Sequence, residues 1–108
     1  MVAQDKQRSD DAFAVIAQAL LGEPDVEEGT GFGTNPGLRV RGKIFAMLFH
    51  DELVLKLPAE RSTDLVETGA ASRFTVGKRH MREWVALGHG AELDWTELAR
   101  EALSYVRG

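Results

Sequence analysis

Apolar residues recur at helical spacing over Phe13, Ile16, Ala17, Leu20 and Leu21, one stripe of an amphipathic helix. Ser9 is the expected N-cap, with Asp10 and Asp11 set favourably against the helix dipole. Residues 1–8 are polar and expected to form a frayed lead-in. Gly22 and Pro24 stop the helix. A glycine-rich stretch follows, with a short or edge strand expected near Glu28–Gly33 and a turn at Asn35-Pro36-Gly37.

From Leu38 to Pro58 the period changes from 3.6 to two, the mark of strands. Arg41-Gly42 reads as a two-residue hairpin turn. The next run alternates Phe45, Met47 and Phe49 against Ile44, Ala46 and Leu48. A three-residue loop, His50-Asp51-Glu52, would set Phe49 opposite Leu53, Met47 opposite Leu55 and Phe45 opposite Leu57. All the large residues then share one face, which favours the odd loop over a two-residue one. The other face would carry Arg39, Ile44, Ala46, Leu48, Val54 and Lys56, a mixed apolar and basic surface.

Pro58 ends this strand, and Ala59 to Thr68 is expected as a short helix capped by Gly69, with Leu65 and Val66 inward. Ala70 to Arg82 reads as an irregular basic stretch anchored by Phe74 and Val76. Glu83 to Leu87 reads as a strand, and Gly88-His89-Gly90 as a loop. Asp94 N-caps a last helix, with Glu97 three residues on and Trp95, Leu98, Ala99, Ala102, Leu103 and Val106 as its stripe. Short connections between strands imply an antiparallel sheet, and the flanking helices imply cover for one face. The expected fold class is α+β, a two-layer sandwich with helices packed on one face of an antiparallel sheet.

A chain of 108 residues suits one domain spanning 1–108. It has no cysteine, so disulfides and thiol chemistry are out. No basic segment followed by an apolar run opens the chain, and the apolar stretch Ala12–Leu21 is too short to span a bilayer. A cytoplasmic protein without membrane attachment is the expectation. The net charge of −4 argues against a generic nucleic-acid binder.

The segments GKIFAML, DELVLKLPAER and MREWVAL, followed by a helix opening on Trp95, resemble the MmcQ/YjbR family. Gly42–Phe45, Leu55–Arg61 and Met81–Val85 carry the most specific part of the likeness. That family is related to the N-terminal domain of the TfoX (Sxy) competence regulators. The resemblance implies a CyaY-like (frataxin-like) fold and a DNA-binding role described as a double wing. It brings no catalytic residues with it.

The residues themselves point away from catalysis. Gly29, Gly31, Gly33 and Gly37 lack the Lys-Ser/Thr of a phosphate loop, and strands rather than a helix follow them. His50, His80 and His89 are scattered without metal-ligand spacing. Glu23, Asp25, Glu27 and Glu28 lack the spaced pattern of a calcium loop and read as a solvated linker. No serine sits in a nucleophile motif, and Asp51 and Glu52 are neighbours on a turn. Trp84 and Trp95 read as core. A non-enzymatic domain with no catalytic residues, cofactor, metal or small-molecule ligand is expected.

Two binding expectations remain, and they compete. Arg39, Arg41, Lys43 and Lys56 on the strands, with Arg73, Lys78, Arg79 and Arg82 in the basic stretch, are the candidate DNA contacts. No acidic residue interrupts Arg73 to Arg82. The alternative is a homodimer or protein-interaction module using Ile44, Ala46, Leu48 and Val54, if no helix covers that face.

Overall fold

The structure is a computed structural model that describes residues 2–30, 35–49, 52–76, 79–88 and 94–108, with backbone alone at 2–9, 76 and 79–81. In chain order the elements are α1 (Val2–Leu20), β1 (Val26–Thr30), β2 (Pro36–Val40), β3 (Lys43–Phe49), β4 (Glu52–Lys56), α2 (Ala59–Glu67), β5 (Ser72–Val76), β6 (Arg79–Leu87) and α3 (Trp95–Arg107). The strands form one antiparallel sheet in the order β1-β2-β3-β4-β6-β5, with the three helices on one side. This is the α+β class that the pattern predicts.

Helix α1 runs from Val2 rather than from a cap at Ser9, so 2–8 are helical and not a frayed lead-in. No glycine or proline interrupts the chain before Gly22, and a serine inside a helix costs only tenths of a kcal/mol, about 0.5. The other helix ends follow their predicted chemistry. Asp94 accepts a hydrogen bond from the Glu97 amide at 3.1 Å, capping α3. Gly69 takes φ 81° just past α2, where its amide donates to the Val66 carbonyl at 3.1 Å.

The β2–β3 turn is the two-residue one expected: Val40 pairs with Lys43, and Arg41 (φ 52°) and Gly42 (φ 80°) both have positive φ. That is the conformation that matches strand twist. The registers beyond it differ from expectation. Leu38 faces Ala46 while Arg39 faces Ile44, so Phe45 is the extra residue of a bulge. Phe49 pairs with Glu52, so a two-residue connection joins β3 and β4 in place of the odd loop. Leu48 then faces Leu53, Ala46 faces Leu55 and Met47 faces Val54.

The bulge explains the correction. It turns Phe45 and Ala46, adjacent in sequence, toward the same helix-side core. Parity inverts beyond it, sending Met47 and Phe49 to the opposite face. The helix-side core gathers Phe45, Leu48, Leu53, Leu55, Leu57, Val85 and Leu87 with Ile16 and Leu20 of α1, Leu65 of α2 and Leu103 of α3. Burying each such side chain contributes about 1.5–3 kcal/mol.

The stretch 70–82 also differs from expectation. It is a hairpin, β5 and the start of β6, rather than irregular chain. A bulge between Arg73 and Thr75 breaks its alternation. Phe74, beside that bulge, packs with Met47, Val54, Trp84 and Ala86 in a second, smaller core on the face away from the helices. The Phe74 and Phe49 rings meet edge to face with centroids 5.5 Å apart. On a flat sheet β3 and β5 lie three strand spacings apart, roughly 14 Å. The sheet therefore curls across that face, as bulged edge strands make it do.

Candidate nucleic-acid interface

The candidate cations among the described residues do not form one surface. Arg39 projects on the face away from the helices but is tied to the backbone there. It donates to the Thr30 carbonyl at 2.8 Å and the Gly42 carbonyl at 3.3 Å. Its Nε is buried without a partner, lying over Gly29, where a Cβ would come within 2.7 Å of it. Close packing, not phosphate binding, is what Gly29 serves. Arg41 pairs with Asp25 at 3.3 Å, and its amide donates to the Asp25 carbonyl at 3.1 Å. Both residues have positive φ, and together they clasp the start of β1 to the β2–β3 turn.

Lys43 is exposed at the start of β3. Lys56 faces Trp84 across the β4–β6 ladder and holds its ammonium 5.9 Å from the ring centroid, a cation–π contact. Arg73 reaches from β5 toward α2, donating to the Arg82 carbonyl at 3.1 Å and the Thr63 hydroxyl at 3.4 Å. Arg82 is exposed beside it. Both line an open depression of about 550 Å³ with Glu60, Thr63 and Asp64 of α2. Arg79 is placed by its backbone in β6, opposite Val76, and Lys78 lies outside the described residues.

Arg39, Arg41 and Lys43 thus sit on β2–β3, and Arg73, Arg79 and Arg82 on β5–β6 at the far edge. Two to four strand spacings, roughly 10–19 Å measured along the sheet, separate the groups. What the structure brings together is the pair Arg73 and Arg82. Its signal in the sequence was the Arg73–Val76 alternation, easily passed over in so basic a stretch.

The apolar face expected for a homodimer changes character. Ala46 and Leu48 belong to the helix-side core, and Val54, on the second face, is fully buried. Among the described residues, the large hydrophobic side chains left exposed are Val15 and Tyr105.

The acidic residues are similarly dispersed. Glu23 pairs with Arg107 at 3.5 Å, and Asp25 is held by Arg41. Among the described residues no group of His, Asp and Glu stands close enough to hold a metal ion. No described helix is long and apolar enough to cross a membrane.

Among the described residues, Tyr105 is a perturbed acid. The Tyr105 hydroxyl of α3 donates to Glu83 of β6 at 3.0 Å. That hydrogen bond raises the Tyr105 pKa above 10.0, with desolvation and the Glu83 charge adding to it. The neutral phenol makes the bond, so its stabilisation is complete below pH 10.0 and is lost as pH rises through the elevated folded value. Tyr105 is the only tyrosine, so ultraviolet absorbance follows it alone. Its titration midpoint is expected above 10.0 and lower in Glu83→Gln; equal midpoints would show the bond absent in solution.

The architecture defines a small α+β domain with a helix-covered antiparallel sheet and a basic hairpin at one edge. The YjbR family model matches residues 21–102, from the end of α1 into α3, and the chain belongs to that family. No curated protein and no solved structure matches it.

Proposed function

We propose that this domain is a non-enzymatic binding module that contacts nucleic-acid phosphates through the β5–β6 hairpin. The observation that supports this reading is the placing of Arg73, Arg79 and Arg82, in a stretch without acidic residues, on a two-stranded edge element. A hairpin can enter a groove or straddle a backbone, and clustered cations release counterions when they do. The resemblance to MmcQ/YjbR proteins points in the same direction. Net charge is −4, so attraction is local to the hairpin and repulsion acts elsewhere, which orients the encounter. Arg39 and Arg41, spent on backbone and Asp25, are not part of the proposed contact, and Arg73, held by the Arg82 carbonyl and the Thr63 hydroxyl, braces the hairpin while Arg79 and Arg82 carry the contact.

Fluorescence anisotropy with labelled duplex DNA over a salt series tests this. Neutralising two to four phosphates gives a slope of log K on log salt of about −2 to −4. Arg79→Glu combined with Arg82→Glu is expected to weaken binding more than about tenfold and flatten that slope, whereas Arg41→Gln leaves both unchanged. Absence of binding at low salt, or equal losses in the two variants, overturns the reading.

A further inference from the structure

At the opposite edge of the sheet the geometry points to a docking site for an extended, basic peptide segment that adds a strand beside β1. Strand β1 ends the sheet: β2 pairs with one side of it, and among the described residues no strand pairs with the other. Such an edge is a template for strand addition, here centred on Glu28, because the Val26 amide already donates to the Glu23 carbonyl and the Thr30 carbonyl accepts from Arg39. Next to it, between α1 and the sheet, runs a groove of about 430 Å³. Phe13, Ala17, Leu21 and Leu48 form its apolar floor, and Asp10 and Glu28 are its charged residues.

The occupant is set by three facts. First, the floor takes apolar side chains, and it lies on the helix side of β1, where Glu28 faces Leu38. Second, Glu27 pairs with Arg39 and so lies on the opposite face. An added strand alternates its side chains between these faces, so apolar residues enter the groove while the intervening ones pass Glu27. Third, Glu27 is exposed, and no described cation lines the groove. Lysine or arginine opposite Glu27 is complementary to it, since the Arg39 guanidinium on that face is held by the Thr30 and Gly42 carbonyls, and Asp10 and Glu28 add attraction from the groove. A second copy of β1 is a poor occupant, because pairing VEEGT with itself brings carboxylates together. Edge charges do guard against self-association. Guarding alone does not call for an apolar groove beside the edge.

The test titrates the full chain, labelled with nitrogen-15, with a blocked peptide of alternating lysine and valine, and with its glutamate–valine twin. The lysine peptide is expected to shift the amides of Val26–Thr30 saturably and slow hydrogen exchange at Glu28 and Thr30, whose amides face the open side, and the twin to do neither. Glu27→Lys reverses the complementary charge, and Ala14→Trp fills the groove from an exposed position of α1. Each is expected to weaken binding about tenfold with circular dichroism unchanged. Overturning results are no saturable shift in Val26–Thr30, shifts centred elsewhere, equal binding of the twin, or full affinity in Ala14→Trp. The β5–β6 hairpin lies at the other edge, so DNA binding can succeed or fail without altering this outcome.

Discussion

Phe45→Ala is expected to destabilise the domain by about 3–5 kcal/mol, the cost of deleting a buried aromatic ring and leaving a cavity. Phe45 has no exposed surface and sits where a bulge directs it into the helix-side core. The bulge also limits relief. Its neighbour Ala46 is on the same side, fully buried and too small to fill the space. A domain of this size has about 5–15 kcal/mol of stability in total, so the variant sits near the threshold of folding. Urea denaturation is the measurement, with Ile44→Ala as the comparison. Ile44 is half-buried and packs only against the edge of the second core, so it should lose far less. A loss below about 1 kcal/mol for Phe45→Ala would mean the ring is not packed as described.

Val54→Asp is expected to cost about as much, 3–5 kcal/mol or more, because it buries a carboxylate without a partner. The two possible registers of the β3–β4 hairpin differ sharply here. In the odd-loop register Val54 would lie on an uncovered, mixed apolar and basic face, where a new aspartate is nearly neutral, within about 0.5 kcal/mol. In the structure Val54 faces Met47 and is fully buried among Met47, Phe74, Trp84 and Ala86. Val54→Thr, close in shape, should cost about 1–3 kcal/mol for its buried hydroxyl. Thr75→Asp, at an exposed site in β5, serves as a control near zero. Thermal unfolding separates the outcomes, since each kcal/mol moves Tm by roughly 4 °C at this length. A tolerated Val54→Asp would restore the uncovered face.

Local chemistry in this chain was readable wherever one residue type satisfies one backbone need. Asp94 caps α3, Gly69 ends α2, and Arg41-Gly42 turns β2 into β3, each as expected. What failed was long-range. The odd loop followed from assuming that β3 alternates without interruption and has one apolar face. Phe45 breaks the first assumption, and Met47 with Val54 breaks the second. Neither a bulge nor a second core leaves a mark in period-two alternation, because both are set by strands distant in sequence. Strand β5 was obscured by charge, since Arg73 and Thr75 flank Phe74 in a pattern that suits either an edge strand or a loop. The candidate site suffered most from this. Basic residues can be counted from sequence, but Arg41 is neutralised by Asp25 and Arg39 is committed to Thr30 and Gly42 only once the strands are paired.

The contact between Phe49 and Phe74 has a mechanical meaning. It joins β3 to β5 directly, bypassing the hydrogen-bonded ladders of β4 and β6 that lie between them. The β5–β6 hairpin therefore cannot swing out as a flap without uncovering Met47 and Val54. A hairpin held this way keeps Arg73 and Arg82 at a fixed angle to the body of the domain. A partner of the kind proposed would meet a rigid arm, and docking would forfeit little chain freedom.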